Sequence, residues 1–406
     1  MVSYIYVLAV MLVRLSANSS LRIQGFQKRP INSINLHLMT RIEVNINPNI
    51  LKWAREEAGF DPAEIAEKVN TPVDRYKSWE KKGLNIPLGK LQTLAGQYKR
   101  QLAVFFLPEV PDKINKPKDF RNLTPKQSKL SKDVLMVMRD VTYFRQTALE
   151  LQGESYWKNR YSWLKEVENI KQDNSALANW LREKLNISID DQLKWKSDNE
   201  AFRTWRQAVE NQLGVLIFQF SMPLNEVQGF CFTDNLPYAI VVNSKHHYTS
   251  RLFTIFHELA HIIRHHSGIC LVDNVNEKQQ EEFSCNSFAG NFLIPSNNLI
   301  VTDSLSEIQT YATKLRVSRE VYLRRLKDEN QISSLKFFAL LDKIKATYKS
   351  VTKKAGFAVK PEVLSRASRG ETFFNIVIDA LNQNKLSYTQ ASTMLDLKIS
   401  KIINEA

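Results

Sequence analysis

The stretch FTIFHELAHIIRHH, residues 253–266, carries His257 and His261 four apart, with Glu258 directly after the first. Positions four apart on an α-helix lie one above the other on a single face, so two imidazoles at that spacing reach one ion. Glu258 then points beside the ion, where a carboxylate serves as general base on a metal-activated water. The plainer reading is a core helix that happens to hold histidines, because Phe256, Leu259, Ala260, Ile262 and Ile263 would pack without any metal. The surroundings favour the site. An apolar, strand-like run, YAIVVN (238–243), and a polar connection, SKHHYTS, precede the motif. Neither proline nor glycine interrupts 251–266, which suits a helix.

A zinc centre of this kind needs a third protein ligand and an open fourth position. The extended motif with a third histidine at 267 fails, because Ser267 stands there. His265 lies eight residues from His257, roughly 12 Å along a helix, too far to share the ion. Downstream, EKQQEEFSCNSFAGNFLIP (277–295) is a helical stretch with apolar Cys285, Phe288, Ala289, Phe292 and Leu293, opened by Glu281 and Glu282. An acidic pair near a helix start also complements the helix dipole, and spacing alone does not choose between the two. Cys285 is a further potential ligand, although a buried free cysteine on an apolar helix face is the ordinary case.

Taken together, FTIFHELAHIIRHH, SGIC and EEFSCNSFAGNFLIP resemble the core of the ImmA/IrrE-type metallopeptidases. There the second helix carries a pattern close to E-x-x-(A/C)-N-x-F-A, ending near an aliphatic–proline pair. Glu282, Cys285, Asn286, Phe288 and Ala289 match it position by position, and the likeness covers about 215–300. The resemblance implies a zincin-like fold with Zn2+ on His257, His261 and Glu282, Glu281 as the neighbour of the third ligand, and Glu258 as base. It further implies a bacterial regulator that cuts a protein substrate, a repressor or similar partner. The rival is a non-catalytic transcription regulator or antitoxin with a structural metal. Glu258 separates the two, since a structural site has no need of a base.

The elements that must position this site spread over 406 residues, enough for two or three domains, and 43% hydrophobic residues supply cores. Three cysteines, Cys231, Cys270 and Cys285, form no disulfide framework, so a reducing cytosol fits best. Residues 1–38 begin with MVSYIYVLAVMLVRL, whose apolar run is shorter than a span and lacks a basic start. The expectation is upstream-translated or disordered sequence with the natural start at Met39, the rival being an anchor or signal.

Residues 47–110 form the first domain. Asp61 is placed to cap the helix of DPAEIAEKVN, with Pro62 at its first position and Glu64 completing a capping box. Asn70 stands at the turn, and TPVDRYKSWEKKG makes the next helix. Helix, short turn, helix at this spacing is a helix-turn-helix signature. It resembles the Cro/lambda-repressor-like class, with Ala66, Asn70, Tyr76, Trp79 and Glu80 at the pattern positions and Asn70 replacing the usual glycine. DNA is therefore an expected partner. The contact candidates at the start of the second helix are Asp74, Arg75, Lys77 and Ser78, with Lys81 and Lys82 near phosphates. The charge there is modest: ten Lys/Arg against eight Asp/Glu in 47–110, whereas 311–406 holds eighteen against nine, out of +14 overall. Contact with protein instead of DNA is the competing use.

Residues 111–210 read as a helical connector, with Trp157, Trp163, Trp180, Trp195 and Trp205. Residues 211–300 are the peptidase core, with three short strands at 214–221, 226–233 and 238–243. Of these, YAIVVN is the expected edge strand for an extended substrate. Residues 301–406 are a basic helical region with a weak second helix-turn-helix hint in the tail. The fold class is mostly α with a small β-sheet (α+β). No membrane partner is expected.

Overall fold

The computed structural model describes residues 42–100, 102–111, 130–264, 269–271, 279–347 and 359–405. The reading of residues 1–38 lies outside them. The fold is mostly helical with two small sheets.

At the N-terminal end, strands β1 (Glu43–Val44) and β2 (Ile86–Pro87) pair antiparallel beside helices α1 (Pro48–Glu57), α2 (Pro62–Lys68), α3 (Val73–Lys82) and α4 (Leu88–Gln97). These elements share one apolar cluster, from Ile46 to Phe105, which also takes in Met136. Asn70 adopts φ 48° between α2 and α3, a left-handed turn that asparagine tolerates. Gly83, at φ 66°, ends α3 where an added Cβ would meet the Ile46 carbonyl at 2.0 Å. Asp61 stands at the N-cap of α2, but its side chain makes no capping bond. Glu64 is drawn instead into an ion pair with Lys132 outside the helix.

A buried polar network holds this unit together. Glu80 accepts from Arg55 Nε at 2.6 Å and from the Tyr76 hydroxyl at 2.6 Å, and the Tyr76 and Tyr98 hydroxyls lie 2.6 Å apart. Arg55 Nη1 donates to the Phe60 carbonyl at 2.8 Å. Arg55 and Glu80 side chains are each only 10% exposed. Removing one partner of such a pair leaves the other charge buried, which costs about 3–5 kcal/mol. Glu80→Ala is therefore expected to lower the unfolding midpoint of the N-terminal unit strongly in a denaturant titration; an unchanged midpoint would show that the network contributes nothing.

The long helix α5 (Lys132–Gln152) joins this unit to the rest. Its Arg139 donates to the Tyr98 and Lys99 carbonyls at the end of α4, at 2.7 and 3.2 Å. Two turns on, Arg145 donates to the Pro237 carbonyl at 2.8 Å and pairs with Asp234 at 3.0 Å, beside the larger sheet. Short helices at Glu154–Arg160 and Leu164–Val167 follow, then α6 (Asn174–Leu185), a short helix at Ile189–Lys194, and α7 (Asp198–Ala208).

The larger sheet has the order β3 (Leu216–Phe220), β5 (Ala239–Asn243), β4 (Val227–Phe232), β6 (Ile269–Leu271). β3 and β5 are parallel, and the other two pairs are antiparallel. This corrects the expectation for YAIVVN. Its strand is interior, bonded on both sides and buried at every residue. An uninterrupted apolar run is the pattern of a strand covered on both faces, not of an edge. At the outer edge of β3, the Ile217 carbonyl accepts from the Arg206 guanidinium.

Helix α8 (Tyr248–Ile263) crosses this sheet and packs against α9 (Gln279–Leu293). Then come α10 (Leu305–Leu315), α11 (Arg319–Asp328), α12 (Ser334–Ala346), α13 (Pro361–Arg369), α14 (Glu371–Asn382) and α15 (Tyr388–Leu395), with a last turn at Ile399–Ile402. One apolar core runs from Val134 to Ile402, through connector, sheet and C-terminal helices. The C-terminal helices are tied in by charge as well. Arg206 and Glu210, both buried, pair at 3.2 Å, and Glu210 accepts the Glu371 backbone N–H at 3.1 Å. No helix among the described residues is long and apolar enough to cross a membrane.

Candidate metal centre

Helix α8 begins at His247, whose ring nitrogen accepts from the Thr249 N–H at 3.4 Å, and runs unbroken to Ile263. It lies close on the sheet because Gly229 of β4 has no side chain. A Cβ there would meet Thr254 Cγ2 at 2.4 Å and the Val241 carbonyl at 2.7 Å. An aromatic cluster sets its partner helix. Phe256 lies 4.0 Å from Phe292 of α9, and both rings pack on Trp205 of α7, at 5.5 and 4.8 Å. The far end of α9 is held by two buried donors, Gln192 and Arg325, and by half-buried Arg182. Arg182 and Gln192 reach the Phe292 and Leu293 carbonyls at 2.8 and 3.1 Å, and Arg325 reaches that of Ile294 at 3.1 Å. Cations at the carbonyl end of a helix are favourable.

This packing brings His257, His261 and Glu282 together. The two Nε2 atoms are 3.2 Å apart. Glu282 Oε2 lies 3.2 Å from His257 Nε2, and its Oε1 lies 3.4 Å from His261 Nε2. Burial works against charge on the Glu282 carboxyl, but hydrogen bonds and charge from His257 and His261 outweigh it and hold the pKa well below the usual carboxylate range. The outer nitrogens meet acceptors: His257 Nδ1 is 3.0 Å from Asn286 Oδ1, and His261 Nδ1 is 3.4 Å from Glu281 Oε1. For both Nε2 atoms to bind a cation, the ring protons must sit on Nδ1, next to these acceptors.

Such a set fits a zinc ion. Ligand bonds of about 2.0–2.1 Å at tetrahedral angles place donor atoms roughly 3.3 Å apart, close to the spacing found.

Glu258 follows His257 on the helix and is completely buried. Glu281 and Glu282, which spacing left undivided, divide by nitrogen: Glu282 faces the inner Nε2 pair and Glu281 the outer Nδ1 of His261. Cys285 is buried on that outer side, 3.7 Å from His261 Nδ1 and 3.2 Å from Arg264 Nη1. Arg264 also donates to the Lys171 carbonyl at 3.0 Å and to Asn174 Oδ1 at 2.6 Å, which ties the end of α8 to α6. Neither Arg264 nor the Asn286 contact was visible in the motif, although Asn286 stands one turn from Glu282 and so shares its face. His246 and His247 sit at the start of α8, roughly 15 Å along the axis before His257. His265 and His266 lie outside the described residues.

The other sequence candidates lie far from this centre in the chain. Asp74, Arg75, Lys77 and Ser78 all point to solvent from α3, as do Lys81 and Lys82. The Ser78 hydroxyl donates to the Arg75 carbonyl at 2.7 Å, and the Arg75 guanidinium lies 5.8 Å from the Trp79 ring centre. α5 docks elsewhere on the unit, with Leu135 against Gly59 and Lys132 over the Phe60 ring.

Compared with known proteins, residues 210–327 match the Peptidase_M78 family model, described as an IrrE N-terminal-like domain. That span contains β3–β6, both histidines, Glu258, Glu282 and the helices through most of α11. No curated protein and no solved structure matches the chain.

Proposed function

We propose that the chain is a zinc-dependent endopeptidase that cuts a regulatory protein, such as a repressor, and that its N-terminal unit is a helix-turn-helix that binds DNA in the cytoplasm. The observation that carries the enzymatic part is the converging His257–His261–Glu282 set, with buried Glu258 directly after His257 on the same helix, inside the span matched by a peptidase family. His257, His261 and Glu282 would hold the ion. When bound, zinc polarises a peptide carbonyl and makes water acidic enough to attack near neutral pH. Glu258 takes the proton of the attacking water and passes it to the leaving nitrogen. Because β5 is interior and β3 is covered at its outer edge, an extended substrate would pair along β6. Glu258→Gln tests the assignment: zinc retained and cleavage lost.

The DNA reading is supported by the solvent-facing start of α3 and by the docking of α5 away from it. Arg75→Ala and Lys77→Ala are expected to weaken binding to a duplex selected from a random pool. A lost base contact costs about 1–3 kcal/mol, and a lost phosphate contact lowers the salt dependence. Unchanged affinity in both variants would remove α3 from the interface.

A further inference from the structure

α9 reads both imidazoles of α8 in register. Glu282 and Asn286 are one turn apart and so share a face, and Glu281 and Cys285 share the next. The first pair clasps His257 from its two ends, with Glu282 Oε2 3.2 Å from Nε2 and Asn286 Oδ1 3.0 Å from Nδ1. The second pair meets the outer nitrogen of His261, at 3.4 and 3.7 Å. The inner ligand set is thus asymmetric in its support. His261 has a carboxylate and a thiol behind it, whereas the acceptor behind His257 in this geometry is a neutral amide.

We propose that Asn286 is a positioning residue for metal capture, acting through His257; this rests on the metal-centre reading above. For Nε2 to bind a cation it must be the unprotonated nitrogen, so the ring proton must sit on Nδ1. Asn286 Oδ1 accepts that proton and selects the tautomer. The same bond fixes the ring's rotation, so that Nε2 stays 3.2 Å from that of His261. Partners of this kind typically contribute 10–100-fold in metal affinity. An amide oxygen orients the imidazole without adding charge to a site that already holds Glu282 and Glu281.

The experiment measures zinc affinity of the full chain by chelator competition for the parent, Asn286→Ala and Asn286→Asp, with thermal unfolding of each metal-free protein alongside. Asn286→Ala is expected to bind zinc about 10–100-fold more weakly. Asn286→Asp, which restores an oxygen acceptor at the same reach, is expected to return close to the parent. A purely structural residue would instead lower metal-free stability and leave zinc affinity alone. Parent-like affinity in Asn286→Ala, or equal weakness in both variants, overturns the proposal. A parent that binds no zinc overturns the metal centre itself, a distinct result.

Discussion

Glu282→Gln is expected to strip zinc from the protein while leaving its fold intact. The carboxylate is the anionic member of the set, held ionised between the two histidines. Its oxygens sit at 3.2 and 3.4 Å from the inner nitrogens, the spacing of atoms that share one ion. A neutral amide of the same shape is a poor ligand for zinc. The loss should exceed the roughly 10–100-fold typical of an outer partner. The neighbouring Glu281→Gln retains an oxygen that can accept from His261 Nδ1, so zinc content should stay near the parent's. The measurement is elemental zinc per chain after dialysis against a weak chelator. Zinc lost from Glu281→Gln and kept by Glu282→Gln would exchange the two carboxylates' roles.

The contrast between these adjacent residues shows what the sequence carried and what it did not. The i, i+4 histidines and the uninterrupted apolar frame of α8 are local, and local periodicity is readable. The choice between Glu281 and Glu282 is not, because it depends on how α9 is rotated against α8. That rotation is set by Phe256, Phe292 and Trp205, which come from three separate elements. Asn286 falls within the family-like pattern, but its contact with His257 needs the same rotation.

The sheet gives a second case. Three strands were visible as apolar runs, but strand order follows from pairing across the chain, and β6 is too short to stand out. YAIVVN, expected at an edge, lacks the alternation of an edge strand and is interior. The C-terminal region reads only as basic helices. Its helices share the core that begins at Val134, through contacts such as Glu210 with Glu371 that no local pattern announces.

The second large effect falls on Glu258. Its side chain is fully buried on the same helix as the two histidines, directly after His257, and we propose it as the base on the attacking water. Glu258→Gln preserves size and hydrogen bonding and removes only the ability to take a proton. Loss of a general base typically costs on the order of 10²–10⁴ in rate. The residue is not among the three whose donor atoms converge, so the ion should remain. The most direct measurement is therefore a paired one on the parent and Glu258→Gln: zinc per chain by elemental analysis, and cuts in a peptide library mapped by mass spectrometry. The account predicts about one zinc in both proteins, with cuts that depend on the metal in the parent and are almost absent in Glu258→Gln. Equal cutting by the two proteins, or a zinc-loaded parent that makes no cut, would contradict it.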